Sequence, residues 1–173
     1  PDVPFGLYEC PAPYKRLLTE KVLRYCIDTG RCTYIKDTCC DLSLIRQRLT
    51  QLSGTGTQLY NANAATLLES MRMGAAGYCG VMANFHPQFY TRLCDAYADD
   101  FEAAEKLQDY VGTASLIENQ AYPTNAKYFL GLEGLSLGVG TRSRTIPLSE
   151  SQRLEIEQFR HLSYEMEGIL LSQ

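Results

Sequence analysis

Over roughly the first half of the chain, the apolar positions alternate between two periods. Short runs rich in β-branched and aromatic residues read as strands, and between them apolar residues recur at helical spacing. Phe5-Gly6-Leu7-Tyr8 is the first strand candidate, stopped by Pro11 and Pro13, which cannot continue a central ladder. From Thr19 the period changes: Val22, Leu23, Cys26 and Ile27 share a helical face, and Gly30 stands where a left-handed cap is expected. Cys32-Thr33-Tyr34-Ile35-Lys36-Asp37 is the second strand, an apolar run that ends in a lysine. Leu44, Ile45, Leu49 and Leu52 predict a helix from about Ser43 to Gly54. Gln58 to Ala62 is a third strand, Ala64 to Met73 a helix ending at Gly74, and Gly77 to Met82 a fourth strand closed by Ala83-Asn84.

Strands alternating with helices at this spacing imply βα units and a parallel sheet, so the fold class is α/β. The remainder is helical. Pro87 opens a helix carrying Phe89, Tyr90 and Leu93, and Phe101, Ala104, Leu107 and Val111 mark another. Gly131 to Gly140 reads as a loop or a broken helix. Ser149-Glu150-Ser151-Gln152 has the form of a capping box, before a final helix with Ile156, Phe159, Leu162, Met166 and Ile169. Four βα units and a helical tail make half of an eight-unit barrel, whose usual length is about 250 residues. Four parallel strands also fit an open doubly wound sheet. No glycine-rich phosphate loop follows a strand, however: Ser53-Gly54-Thr55-Gly56 precedes one, so nucleotide binding lacks its motif.

Composition narrows the classes of function. With 173 residues, 45% hydrophobic and 21% charged, the chain has globular composition and room for one domain. A formal charge of −4 argues against nucleic acid or anionic lipid, which reward a basic stripe. No apolar run approaches the roughly 18 residues that span a bilayer, and none at the amino end reads as a signal peptide. Seven scattered cysteines, without the spacing of a zinc site, read as free thiols in a reducing cytoplasm. The chain opens at Pro1 with no methionine and enters a strand almost at once, as a piece of something longer would.

Lys36 is the sharpest candidate for chemistry. A strand-end ammonium fenced by aromatic and apolar neighbours is expected to lose charge to desolvation, leaving an amine that attacks a carbonyl to form a Schiff base. The plainer reading is a lysine that reaches solvent or pairs with Asp37. Tyr8 ends the preceding strand as Lys36 ends its own. If the strands are parallel neighbours, Gly6, Tyr8, Tyr34 and Lys36 share one face, and the phenol can relay protons as the carbinolamine forms and collapses. The plainer reading of Tyr8 is a side chain filling a barrel layer.

Leu7-Tyr8-Glu9-Cys10-Pro11, Tyr34-Ile35-Lys36-Asp37 and Gly74-Ala75-Ala76-Gly77-Tyr78-Cys79-Gly80-Val81-Met82-Ala83-Asn84 resemble, in order, three signatures of one superfamily. It is that of dihydrodipicolinate synthase and N-acetylneuraminate lyase, Schiff-base (β/α)8 barrels acting on pyruvate or another 2-oxo acid. Tyr122-Pro123-Thr124-Asn125-Ala126-Lys127 and Thr145-Ile146-Pro147-Leu148-Ser149 resemble its helical extension.

The resemblance implies the carboxyl-terminal half of a TIM barrel, strands 5 to 8, followed by a helical extension. Residues 1–86 would hold the four βα units, and 87–173 the last barrel helix and the extension. It implies that Lys36 is the Schiff-base lysine and Tyr8 the proton relay, and that Cys79 and Gly80 line the 2-oxo acid pocket, in part through main-chain groups. It also implies a tetramer that needs no metal or organic cofactor, because the lysine imine is the electron sink.

Departures from the pattern bear on the second substrate. Pro13 stands where the synthases carry an arginine for the aldehyde partner's carboxylate, with Lys15 and Arg16 nearby, and Tyr60-Asn61-Ala62-Asn63 replaces a Gly-Asp-Asp-like run. The expected activity is therefore a lyase or aldolase whose aldehyde or sugar-acid substrate differs from that of the synthase. The first four βα units, with their carboxylate-binding loop, are absent, so the chain alone is expected to be inactive and to pair with a missing amino-terminal half-barrel. Its rival is a non-catalytic barrel fragment or degenerate homologue acting in binding or assembly.

Other residues have plainer readings. Cys79 reads as a core cysteine rather than as half of a thiol–imidazole pair with His86, and His161 as a surface or packing residue. Glu9 turns outward by alternation, towards a structural salt bridge. Cys39 and Cys40 are loop thiols, and Asp99, Asp100 and Glu102 a solvated helix start.

Overall fold

Four short strands alternate with helices over the first 80 residues of the computed structural model, which describes residues 2–142 and 146–170. They are β1 (Phe5–Tyr8), α1 (Glu20–Asp28), β2 (Cys32–Asp37), α2 (Leu42–Leu52), β3 (Gln58–Asn61), α3 (Leu67–Arg72) and β4 (Gly77–Tyr78). All neighbouring strands pair in parallel, and their order in the sheet is the order of the chain, with β1 and β4 at its edges. Local chemistry sets the helix ends. Thr19 Oγ1 accepts the Val22 N–H at the start of α1, and Asp41 Oδ1 accepts from Ser43 and Leu44 at the start of α2. Gly30 (φ +66°) and Gly54 (φ +75°) supply the left-handed turns that send the chain back into the sheet.

Leu23 and Cys26 of α1, Ile35 of β2, Ile45 and Leu52 of α2 and Leu59 of β3 form the core of this region. α1 packs beside α2, and α2 beside α3. A doubly wound sheet has a switch point where strand order reverses. This sheet has none, and the open-sheet alternative is set aside.

The chain divides into two compact units, Pro1–Gly80 and Val81–Gln173. The second holds α4 (Pro87–Ala96), α5 (Phe101–Ala114), α6 (Thr124–Leu132) and α7 (Glu150–Leu170), with 3-10 turns at Val81–Asn84 and Ser115–Asn119. Asp100 caps α5 by accepting the Ala103 N–H. The capping box of α7 is closed reciprocally: Gln152 N donates to Ser149 Oγ, and Ser149 N to Gln152 Oε1.

Several elements differ from expectation. β4 stops at Tyr78, because the chain turns into the 3-10 segment at Val81. A 3-10 turn over Ala64–Thr66 precedes α3, where Asn63 Oδ1 caps the Ala65 N–H. α6 runs through Gly131 before the chain becomes irregular. On α7 the buried stripe is Ile156, Phe159, Ser163 and Leu170, leaving Leu162 and Ile169 exposed. A polar residue enters that stripe because Ser163 Oγ accepts the Tyr110 hydroxyl at 2.7 Å. Thr145 of the extension signature lies outside the described residues.

The second unit is organised on aromatic rings. His86, only 1% exposed, meets Phe89, Tyr90, Tyr110 and Phe159 edge-on, and Phe85 packs on Phe129 and Phe159. Its Nε2 and Nδ1 lie 3.4 Å from the Tyr90 and Tyr110 hydroxyls. Burial pushes the His86 pKa down to about 3. An unfolded histidine titrates near pH ~6.5, so between these values the unfolded state binds the extra proton. This contribution to stability is whole above about pH 6.5 and falls by about 1.4 kcal/mol per unit as the pH drops towards 3. Urea denaturation at about pH 7 and about pH 4.5 is expected to show a larger acid loss for the native chain than for His86→Gln. Equal losses would mean that His86 is not held neutral.

Candidate active site at the strand ends

Tyr8 of β1, Lys36 of β2 and Tyr60 of β3 are register partners across three neighbouring strands. Lys36 is half-buried, and its Nζ lies 4.5 Å from the centroid of the Tyr8 ring. The amine therefore stands over the phenol ring, in cation–π geometry. Tyr8 is 53% exposed and Tyr34 47%. A Cβ on Gly6 would come within 2.2 Å of Tyr34 Cε1, so the Tyr34 ring lies across Gly6, its register partner. Gly6, Tyr8, Tyr34 and Lys36 thus lie together at the ends of β1 and β2.

Behind these residues is a buried ionic cluster. Glu9 follows Tyr8, Asp37 follows Lys36, and alternation turns both to the opposite face, where they are 2% and 0% exposed. Arg48 of α2, also 2% exposed, donates from Nη2 to Glu9 Oε1 at 2.5 Å, from Nη1 to Glu9 Oε2 at 3.0 Å, and from Nη1 to Asp37 Oδ2. Glu9 further accepts the Leu18 and Thr38 N–H groups, and Asp37 accepts that of Cys39. Burial opposes the charge of Arg48, but the bonds to Glu9 and Asp37 outweigh it and raise the guanidinium pKa. Asp37 therefore pairs with Arg48, and Glu9 makes the structural salt bridge expected of it.

Cys79 is exposed at the end of β4, which corrects its reading as a core residue. Its N–H donates to Asn61 O at 2.8 Å. A Cβ on Gly80 would meet Ala62 O at 2.4 Å, so glycine there allows two stretches of backbone to approach closely. Lys15 Nζ reaches Cys39 O, at 3.5 Å, in the segment that follows Lys36. Cys40 is exposed, whereas Cys39 is buried, and burial with the neighbouring Asp37 pushes its thiol up to about 12. His86 bonds to tyrosines in its own core, and His161 is exposed. Among the described residues no disulfide joins the cysteines.

A profile of the Dihydrodipicolinate synthetase family matches residues 1–161. The chain belongs to this family. It is 23% identical over 139 residues to a 4-hydroxy-tetrahydrodipicolinate synthase of Clostridium perfringens, covering 79% of this chain and 47% of that one. YagE, a prophage protein of the dihydrodipicolinic acid synthase family from E. coli K12, solved in complex with pyruvate, superposes with a TM-score of 0.82 at 20% identity. That match covers 93% of this chain and 56% of YagE. A catalytic lysine mutant of the Ruminococcus gnavus sialic acid aldolase superposes with a TM-score of 0.83 at 17% identity, over 96% of this chain and 56% of the aldolase. The α/β fold is thus that of the family's TIM barrel, and the chain spans about half the length of the relatives it matches. Among the described residues no helix is long and apolar enough to cross a membrane.

Two residues of this site carry no signal in the periodicity. Tyr60 joins it through strand register, and Arg48 looks like an ordinary polar position on α2. The single trace of Arg48 in the sequence is that Glu9 and Asp37, two acidic residues at strand ends turned towards the helix side, require a cation. Removing one partner of a buried ion cluster strands the others, so Glu9→Ala is expected to cost about 3–5 kcal/mol of stability, read by chemical denaturation. A loss below about 1 kcal/mol would mean that water replaces Glu9 without penalty.

Proposed function

We propose that the chain is the carboxyl-terminal half, strands 5 to 8 with the helical extension, of a lyase or aldolase that forms a lysine Schiff base with pyruvate or another 2-oxo acid. On this reading residues 1–86 supply the four βα units, and 87–173 the last barrel helix and the extension. The observation that carries the reading is the Lys36 amine, half-buried at a strand end and 4.5 Å from the centre of the Tyr8 ring. Lys36 Nζ attacks the 2-oxo carbon and the carbonyl oxygen becomes the carbinolamine hydroxyl. Loss of that hydroxyl as water leaves the iminium, and Tyr8 relays the protons of both steps. The iminium then accepts electrons from the carbon–carbon bond that breaks, or lends them to the one that forms, so no metal or organic cofactor is required. Cys79 and Gly80 line the 2-oxo acid pocket.

Pro13 in place of the synthase arginine supports an aldehyde or sugar-acid partner other than that of the synthase. Lys15 rather than Arg16 is the candidate to hold its carboxylate, because its amine reaches the Cys39 carbonyl just past the lysine strand. The sheet edges at β1 and β4 and coverage of about half of each relative support completion by an amino-terminal half-barrel; that the whole is a cytoplasmic tetramer rests on the family resemblance alone. The same half-length coverage favours, as a second reading, a non-catalytic chain that acts in binding or assembly.

Incubating the full-length protein with pyruvate and reducing with borohydride is expected to leave a mass adduct on the peptide containing Lys36. Lys36→Arg should abolish the adduct, and Tyr8→Phe should slow its formation by about 10²-fold. If the full-length protein gives no adduct with any 2-oxo acid, the second reading stands.

A further inference from the structure

The three strand ends around Lys36 share one arrangement. Tyr8, Lys36 and Tyr60 stand in register, and each is followed by a buried polar residue: Glu9, Asp37 and Asn61, none more than 2% exposed. Each of these is tied to a later segment of the chain. Asn61 Nδ2 donates to Thr66 and to Ser70 of α3, whereas Glu9 and Asp37 share Arg48 of α2.

Backbone pairing alone holds Tyr8 weakly. β1 has four residues, its pairing with β2 slips between Phe5 and Gly6, and beyond Tyr8 the two strands are joined by Glu9 N donating to Lys36 O at 3.3 Å and Thr38 Oγ1 donating to Glu9 O at 2.7 Å. Arg48 adds a tie from the helix side at the same place. Its planar guanidinium has a rigid geometry, so bonding both carboxylates sets their separation and, one residue earlier, that of Tyr8 and Lys36. Apolar residues of similar volume often stabilise a core as well as a buried ion cluster does. What such a cluster supplies beyond them is a single geometry.

We propose that Arg48 is a positioning residue, which holds the Tyr8 ring over the Lys36 amine by clamping Glu9 and Asp37 on the opposite face of the sheet. The catalytic consequence rests on the reading of Lys36 as the imine-forming amine; the geometric one does not.

Two measurements on the full-length protein test it. Reductive 13C-methylation gives each lysine amine a resonance, with Lys36 assigned by its loss in Lys36→Arg, and the Tyr8 ring should displace that resonance upfield. Two variants remove the clamp: Arg48→Lys, and the charge-free combination Glu9→Gln, Asp37→Asn and Arg48→Met. Each is expected to abolish the displacement while circular dichroism stays native. A displacement that persists in a folded variant overturns the inference, as does its absence from the unaltered protein. So does failure of both variants to fold, which would make the cluster a condition of folding and nothing more.

The second measurement is the rate of borohydride-trapped adduct formation with pyruvate. Arg48→Lys should slow it about tenfold or more when Tyr8 is present, and less than about twofold in Tyr8→Phe, because the effect passes through Tyr8. Equal slowing in both backgrounds is the signature of a general structural role and overturns the inference. No adduct in the unaltered protein defeats the functional reading instead, and the resonance of Lys36 alone then decides what Arg48 does.

Discussion

The first unit depends on one buried guanidinium. Arg48 joins α2 to the ends of β1 and β2, and its partners carry charge where water is almost absent. Such a cluster persists only if most of its donors and acceptors are used, and Arg48 Nε is left without a partner among the described residues. Here the main-chain N–H groups of Leu18, Thr38 and Cys39 complete the carboxylates that Arg48 leaves partly open. The strand ends are thereby held from the helix side, while Tyr8 and Lys36 lie on their other face.

That division of labour follows from the two-residue repeat of a strand. Tyr8 and Lys36 have neighbours one position on that face the opposite way, so the same backbone presents Tyr8 and Lys36 on one side and the anchors Glu9 and Asp37 on the other. Glycine does the remaining shaping: Gly6 leaves space for the Tyr34 ring, and Gly80 lets its backbone approach the Ala62 carbonyl. The family to which the chain belongs is one of TIM barrels, and the chain covers about half the length of its relatives. Its sheet accordingly ends in two edges, β1 and β4.

The second unit is built on other physics. Its core is a set of rings around the neutral His86, whose two nitrogens face tyrosine hydroxyls and whose edges face phenylalanines. Burying an imidazole in this way is tolerable only while it stays uncharged, which couples the stability of the unit to pH.

Much of the architecture was legible in the chain itself. The change of period at Thr19, the glycines at 30, 54 and 74, and the capping box at Ser149 are local signals, and local geometry obeys them. The pairing of Tyr8 with Lys36 was legible too, because consecutive strands of βα units are usually neighbours and both residues stand at or next to the ends of their strands. Leu162 and Ile169 misled because periodicity marks an apolar stripe without saying which edge of it meets a neighbour. β4 ran short because glycine-rich segments serve strands and turns alike. Arg48 and Tyr60 were hidden for a deeper reason. A residue's place in a site is set by what lies opposite it in space, and no spacing within α2 or β3 states that Glu9, 39 residues away, needs a cation. The sequence by itself determined the elements and the strand-end lysine; only the tertiary structure decided which buried charge holds that lysine in place, because that choice is made between segments far apart in the chain.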